Sequence, residues 1–559
     1  MAETEAPRTP REKLATRWGQ LKTERATWWA HWVELTTNLM PRSGRYFVQD
    51  RNRGNRRHNM IYDNTGTKAA RVLAAGMMSG LTSPARPWFR LTTGNAELEK
   101  SQPVKIWLSQ CTDLMLAIFQ KSNTYRALHS MYEELGVFGT AACIVVEDFE
   151  NVIHMHPLTI GEYAIATNWK GEVDTLYREF QKTVHEVVKE FGYDSVSISI
   201  KNMYDRGTLD AWVTILHAIE PRADRDPAKI DAKNMAWSST YYEVGAPVGK
   251  YLRVSGFKRF KVLAPRWAVA GGDIYGNSPG MEALGDVKQL QHEQLRKAQG
   301  IDYMTNPPLQ VPTSMKNRDV ERLPGGITFV DMAGPSQGVK TAFEVRLDLN
   351  HLLGDIQDVR QRIDSAFYAD LFLMLANQTD AKMTATEVAE RHEEKMLMLG
   401  PVLERLQNEL LDPLIEITFD AIVEAGLLPQ PPEEMQGHDI SVELVSMLAQ
   451  AQRAIATNSI DRFIGTVGQV AQFKPEVLDK IDGDRLVEVY ADSLGVDPTL
   501  LMANDKVDAL RAQRAKQVQG AQQSALVNQN ADTAQKLANA KTDTPSALTD
   551  VTRQFSGYS

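Results

Sequence analysis

Cysteine, positive charge and long apolar runs are all scarce in this chain, and each shortage closes off a class of function. Cys111 and Cys143 are the two cysteines among 559 residues, so a disulfide framework is excluded and a reducing compartment is expected. Both read as small buried hydrophobes. Acids outnumber lysine and arginine, leaving a formal net charge of −9 and an isoelectric point near 5.8. That balance argues against a protein that clamps nucleic acid by bulk positive charge. No apolar run approaches the ~20 residues needed to cross a bilayer. Met1 to Lys13 is charged and proline-bearing, with no hydrophobic segment behind it, so no secretory signal is expected.

Catalytic signatures are missing as well. There is no Gly-x-x-x-x-Gly-Lys-[Ser/Thr] phosphate loop, and Gly271-Gly272-Asp273-Ile274-Tyr275-Gly276 lacks the residues that would complete one. His154-Met155-His156 puts two imidazoles on one side of a strand but has no third ligand at useful spacing. Glu390-Arg391-His392-Glu393-Glu394 shares only composition with a zinc-protease helix. No serine stands in a Gly-x-Ser-x-Gly elbow, and no pair of carboxylates stands out as an acid–base couple. The expectation is a protein that is not an enzyme, with no cofactor and no metal.

What is present points to architecture. Hydrophobic content of 43% and charged content of 24% suit a folded, soluble protein, and the length calls for three or four structural units. Trp18, Trp28, Trp29, Trp32, Leu35 and Leu39 give residues 11–40 a helical spacing that Pro41 ends. A basic loop follows, with Arg42, Arg45, Arg51, Arg53, Arg56 and Arg57 opposed by Asp50. It reads as a solvated loop or as a contact for an acidic partner or phosphates. Helical patterns resume over 63–82 and 103–138, and Ser83 to Leu91 between them reads as a turn entering an extended segment. From 140 to 270 the β-branched runs Ala142–Val146, Leu209–Leu216, Thr240–Val244 and Tyr251–Val254 predict strands, interrupted by a helix near 182–191. A small α+β domain with a compact barrel or sandwich is expected.

Ser278-Pro279 then opens a long helix, with serine as N-cap and proline in the first turn. Leu284, Val287, Leu290, Leu295, Ala298 and Ile301 are expected to form its buried stripe, and Asn306-Pro307-Pro308 stops it. Residues 307–347 read as a short strand-and-turn excursion. The chain returns in a second helix over 349–374, striped by Leu349, Leu352, Leu353, Ile356, Val359, Ile363, Phe367, Leu371 and Met374. Asn377-Gln378-Thr379-Asp380-Ala381-Lys382-Met383 is a small polar insert, and Thr384-Ala385-Thr386-Glu387 reads as a capping box for a third helix. That helix spans 385–425, or about 60 Å, with bends expected at Pro401 and Pro413. Eleven acids against four bases from Asp380 to Glu424 leave −7. This suits a solvated face, or a surface along which a polyanion slides without sticking. Residues 440–505 read as several short helices. Beyond Lys506 the chain thins to Ala, Gln, Asn, Lys and Asp and is expected to be disordered or ordered only by neighbouring copies.

Five local strings, in this order and spacing, carry a family resemblance: Arg86-Pro87-Trp88-Phe89-Arg90-Leu91, Ser122-Asn123-Thr124-Tyr125-Arg126, Tyr275-Gly276-Asn277-Ser278-Pro279, Leu284-Gly285-Asp286-Val287-Lys288-Gln289-Leu290 and Met383-Thr384-Ala385-Thr386-Glu387-Val388. With the order of elements over residues 10–505, the chain resembles the portal (head-to-tail connector) proteins of short-tailed, T7-like bacteriophages. The resemblance implies an α+β, mainly helical portal fold closed into a ring, usually of twelve copies, at one vertex of the viral head. Residues 1–278 and the kinked helix 385–430 would form the wing, the former with a small β-barrel-like portion. Helices 279–303 and 349–375 would form the stem and 304–348 an α/β clip. The channel loop would be 376–384, the crown 431–505, and 506–559 a low-complexity tail.

Several partners follow from the same likeness. They are double-stranded DNA passing through non-specifically, the terminase large subunit and the tail adaptor at the clip, and the major capsid and scaffolding proteins. No membrane is involved. The protein would be assembled in the host cytoplasm and reside in the virion. Asn377, Gln378, Thr379, Asp380, Lys382 and Met383 would line the channel, and Lys316, Arg318, Asp319 and Arg322 would dock clip partners. Lys288, Arg296 and Lys297 on the first stem helix would face phosphates. So would Arg360 and Arg362, which share the polar face of the second with Asp355, Asp358 and Asp364. Contact is expected with backbone phosphates rather than base edges. A different head–tail ring such as an adaptor, or a metal-dependent nucleic-acid-processing enzyme, are the alternatives.

Overall fold

A computed structural model describes residues 9–50, 61–95, 98, 101–229, 231–247, 249–311, 340–341, 349–376, 399–435, 440–445, 464–469, 473–474, 482–487 and 504–538. The expected channel loop, the clip residues 316–322 and the Thr384–Glu387 cap lie outside these residues.

Helix α1 (Pro10–Asn38) starts where Thr9 and Glu12 close a capping box around Pro10, satisfying N–H groups that the first turn cannot pair itself. The helix buries Trp18, Leu21, Trp32 and Leu35 together with two arginines, Arg11 and Arg25. Arg25 donates to the Gly161 and Tyr163 carbonyls at 2.9 and 2.6 Å and lies over the rings of Trp18 and Trp29. Helix α2 (Thr65–Leu81) is rich in alanine and glycine, which lets neighbouring helices approach closely. Strand β1 (Phe89–Thr92) follows, as the turn-to-extended reading of 83–91 expects.

The single helical stretch expected over 103–138 is two helices, α3 (Gln102–Lys121) and α4 (Thr124–Phe138). Asn123 at the break turns its amide outward. Its Nδ2 donates to the Met155 carbonyl at 2.7 Å, and its Oδ1 accepts from the Met155 N–H at 2.9 Å. The side chain thus acts as an extra peptide group on a strand edge, which competes with helix continuation. Helix α4 ends on Gly139 at φ +75, where a Cβ would sit 2.1 Å from the Gly276 carbonyl oxygen. Only glycine fits this approach.

Strands β2 (Ala142–Asp148) and β3 (Val152–Leu158) pair antiparallel. The meander continues through β4 (Tyr163–Thr167) and β5 (Val173–Thr183). Helices α5 (Val184–Phe191) and α6 (Ile198–Asp205) intervene before β6 (Trp212–Pro221), β7 (Trp237–Glu243) and β8 (Arg253–Phe257). Strands β4 to β8 form one antiparallel sheet in sequence order, and β9 (Val262–Leu263) joins the free side of β2. The linear order leaves the five-stranded sheet open, where closure into a barrel was one expectation. Strands β4 and β5 carry no clean alternation of polar and apolar residues, which is why the sequence reading passes over them. Both cysteines are buried and free. Burial pushes the Cys111 thiol up to about 12 and Cys143 higher still, so neither is poised as a thiolate.

Ser278 caps α7 (Pro279–Thr305): its Oγ accepts from the Met281 N–H and donates to the Val137 carbonyl. After α7, β10 (Leu309–Gln310) pairs with β11 (Lys340–Thr341). The helix expected over 349–374 is broken into α8 (Leu349–Ala366) and α9 (Ala369–Ala376). Farther on, residues 399–406 are helical and run into a π turn at Gln407–Leu411, then α10 (Asp412–Glu424). The Asp412 N–H reaches back five residues to the Gln407 carbonyl. Pro413 has no N–H and would crowd the carbonyl four residues earlier in a regular helix; the wider turn relieves this.

Two expectations for the C-terminal part are corrected. Residues 441–444, read as helical, form strand β12 (Ser441–Leu444), which pairs antiparallel with β1. Alternating Val442 and Leu444 fit that role. The low-complexity tail contains helix α11 (Asn504–Ala538) rather than disorder from 506. Alanine, glutamine, lysine and arginine favour helix without any buried face, and its side chains from 508 to 524 are all exposed. The main core joins α1 to α4, β2, β3 and α7 to α10, with smaller clusters under the five-stranded sheet and beneath α5 and α6.

Candidate functional site

Helices α7 and α8 carry the five cations expected to face phosphates, and the structure sends them in different directions. Lys288 reaches back to Glu34 on α1 at 2.6 Å. Arg362 ties the two helices together through Asp286 at 3.3 Å and Gln289 at 3.4 Å. Arg360 turns to Asp63, with Nη2 at 2.6 Å and Nε at 3.1 Å from Oδ2. Arg296 meets the neutral partners His292 and Gln299. Lys297 has no ion-pair partner among the described residues. Three of the five charges are therefore matched within the chain, and Arg296 and Lys297 have no carboxylate partner among the described residues.

Asp63 is the centre of a polar hub that sequence reading misses. Its side chain is 6% exposed. Oδ1 accepts from the Thr65 N–H and hydroxyl at 2.9 and 2.6 Å, and Oδ2 also accepts from Gln294 at 2.9 Å. Gln291 copies a peptide group alongside. Its Oε1 accepts from the Tyr62 and Asp63 N–H groups at 2.6 and 2.8 Å, and its Nε2 donates to the Asp63 carbonyl at 2.8 Å. Burial works against the charged Asp63, but the bonds from Thr65 and Arg360 outweigh it and hold its carboxyl below the usual range. The hub fixes the entry to α2 against both long helices. No local pattern announces its long-range members, because Gln291, Gln294 and Arg360 lie 228 to 297 residues from Asp63.

A cleft of about 840 Å³ opens beside this hub, bordered by Asp63, Lys68, Val72, Arg360, Asp364 and Leu373. It runs between α2, α8 and α9. Asp364 there is pushed above its ordinary value by burial and by Asp370 across the helix break.

The acidic stretch is also partly answered within the chain. Arg259 pairs with Glu416 and, at 3.0 Å, with Asp420, while Lys258 meets Glu424 at 2.6 Å. Glu409, in the π turn, takes Arg266. The acids of 409–424 thus dock the turn 258–266 rather than forming only a solvated face. Exposed pairs of this kind add little stability; the Arg266 pair is buried and is a different matter.

Among the described residues no group of three or more histidine, cysteine or carboxylate side chains is placed to hold a metal ion. His154 and His156 stand together on β3 with ring centroids 4.7 Å apart. No described helix is long and apolar enough to cross a membrane.

Comparison with known proteins bears directly on this architecture. Residues 11–501 match the family model described as bacteriophage head to tail connecting protein. The chain is 65% identical over 553 residues to the "Probable portal protein" of Bordetella phage BPP-1, covering 99% of this chain and all of that one. It is 46% identical to the "Portal protein" of Salmonella phage epsilon15, covering 99% of this chain and 98% of that one. Among solved structures, a chain from the neck of an empty GTA particle is 12% identical with a TM-score of 0.33, covering 76% of this chain and 92% of the other.

Proposed function

The chain belongs to the bacteriophage head to tail connecting protein family, and from that premise we propose that its copies close into a ring whose lumen conducts double-stranded DNA. Its role is structural rather than catalytic, at the portal vertex of the virion. The observation that carries the ring is the apolar surface left uncovered on the long helices. Ile301 and Met304 at the end of α7 and Leu353 on α8 are each 39–45% exposed. Large apolar groups gathered on one helix pair mark a surface that another molecule covers, and in a ring that molecule is the next copy.

Twelve copies is the number we favour. Helices α7 and α8 form the stem around the lumen, with Arg296 and Lys297 free to meet phosphates, whose contact is sequence-independent. Residues 377–383 line the narrowest passage. Residues 304–348 dock the packaging motor and afterwards the tail adaptor, through Lys316, Arg318, Asp319 and Arg322. Relatives named as portal proteins, matched across 99% of the chain, favour this reading over a separate adaptor ring.

Native mass spectrometry of the purified chain tests it. One large oligomer of fixed copy number is expected, and Leu353→Glu should shift the population at least tenfold toward monomer. A wild-type chain that stays monomeric at micromolar concentration would refute the ring. If rings form, removing 377–382 should spare assembly and impair DNA retention; loss of assembly instead would make that segment a packing element.

A further inference from the structure

Strand β5 outruns its neighbour β4. Their ladder runs from Val173 to Arg178, and the Glu179 N–H still reaches the Glu162 carbonyl at 3.4 Å. Beyond that point β5 continues to Thr183 with a partner on one side only, β6. Outward and inward groups alternate along an antiparallel ladder, so the Gln181 N–H and carbonyl point the same way as the Glu179 N–H, toward the open side. Among the described residues no strand meets them there. The next outward N–H, at Thr183, is taken by the Glu186 carboxylate in the α5 cap. An edge of this kind can accept a further strand.

A groove of about 290 Å³ lies along this edge, walled by α1 and by residues 45–48. Its apolar lining is aromatic. Trp29 meets Tyr46 edge to face with ring centroids 5.1 Å apart, and Phe47 is 68% exposed. Its charges are unequally matched. Glu162 pairs with Arg45 at 3.3 Å, and Glu179 accepts from Trp18 Nε1 at 3.1 Å. Lys22 rests over the Trp18 ring at 5.2 Å. Arg25 gives Nη1 to the Gly161 and Tyr163 carbonyls, and its buried Nε has no hydrogen-bond partner. Among the described residues neither Lys22 nor Arg25 has a carboxylate within ion-pair distance. Carbonyls and ring faces thus hold a guanidinium that is 6% exposed, and an incoming carboxylate would complete its set of partners.

We propose that this groove binds an extended, acidic peptide segment of a partner protein as an added strand. The segment pairs its main chain with Gln181, sets apolar side chains against Trp29 and Phe47, and brings a carboxylate to Lys22 and Arg25. Main-chain pairing supplies affinity, and alternate side chains supply selection. The cations left unmatched in the groove select acid over base. The groove belongs to the single chain, so this reading does not rest on ring closure.

Fluorescence anisotropy of a labelled peptide, Val-Asp-Val-Trp-Asp-Val-Asp-Val, with the full-length chain tests this. Lys22→Glu should weaken binding about tenfold by reversing the charge. Gln181→Pro should weaken it about tenfold as well, because it removes the outward N–H while sparing the ladder with β6. The same peptide with lysine in place of aspartate should bind about tenfold more weakly than the acidic one. Hydrogen exchange at 180–182 should slow about tenfold when the acidic peptide saturates the chain. No binding at millimolar peptide, equal binding of the lysine peptide, or unchanged exchange at 180–182 overturns the proposal. A single-stranded oligonucleotide that binds more tightly than the peptide, with the same dependence on Lys22, would give the groove to nucleic acid and overturn it too. If Gln181→Pro fails to fold, the exchange measurement on the wild-type chain decides the strand pairing.

Discussion

Arg266 and Glu409 form a buried, two-armed ion pair: Nη2 lies 2.6 Å from Oε1 and Nε 3.2 Å from Oε2, while the Arg266 backbone N–H adds a third bond at 2.9 Å. The guanidinium is 3% exposed. It also donates to the Gly171 carbonyl at 2.7 Å, so one side chain joins the β4–β5 turn, the approach to α7 and the π turn before α10. Forked geometry of this kind is specific to arginine.

Removing Glu409 strands the buried Arg266 guanidinium without its carboxylate. Glu409→Ala should therefore destabilise the fold by about 3–5 kcal/mol, and Arg266→Lys should fail to retain the full stability despite keeping the charge. The double variant Arg266→Met, Glu409→Leu should lie closer to wild type than either single loss, since the one charge then left without its partner, Arg405 at 3.2 Å from Glu409, is 35% exposed. Denaturant midpoints of the four proteins check this; additive losses would mean the two residues act separately.

A second prediction concerns pH. Glu134 on α4 is buried and accepts from the Thr159 hydroxyl at 2.7 Å and the Ile160 N–H at 3.1 Å. Burial pushes its carboxyl from an ordinary value of 4.5 up to about 7, against those two bonds and with help from Glu133 and Glu162. The native state then holds a proton that the unfolded chain releases earlier. Stability from this group is full below pH 4.5 and falls as pH rises toward 7, by on the order of 3 kcal/mol. Glu134→Gln should flatten the slope of unfolding free energy between pH 5 and 8. An unchanged slope would show that another group sets it.

At the acid end the sign reverses. Asp63 is held below its usual range, so its bonds to Thr65, Gln294 and Arg360 stabilise at neutral pH and fade as pH drops through the ordinary carboxylate range. Asp63→Asn should cost about 2 kcal/mol at pH 7 and nearly nothing at pH 3. Hydrogen exchange at residues 61–65 should rise in step. Equal cost at both pH values would make the carboxylate's charge irrelevant.

Local rules carried the sequence reading where a few neighbouring residues decide the outcome. Ser278 and Pro279 start α7 as their types require, and Asn306-Pro307-Pro308 ends it. The apolar stripes of α7 and α8 were legible in part for the same reason: Leu284, Val287, Leu290, Ile356, Val359 and Ile363 are buried, while Ile301 and Leu353, expected on the buried faces, are 39% and 45% exposed. Three features were not. The Asn123 break depends on a strand edge 32 residues away. Glu409 gives no sign of Arg266 because 143 residues separate them. The Tyr368 break contradicts its own local sequence and is imposed by Gly76 and Trp267 from outside. Stretches 316–322 and 377–383 lie outside the described residues, and their roles rest on the family.

Strand β12 lies against β1, with Phe89 opposite Leu444 and Arg90 opposite Glu443, and the Val445 N–H closes onto the Trp88 carbonyl at 3.0 Å. A ladder between residues so distant in the chain is slow to form, because loop closure precedes its reward. On the ribosome, β1 has no mate until translation has passed residue 445. The early segments must wait with an unsealed edge, so completion of this part of the fold is timed by the synthesis of residues 441–445 rather than of residues 89–92.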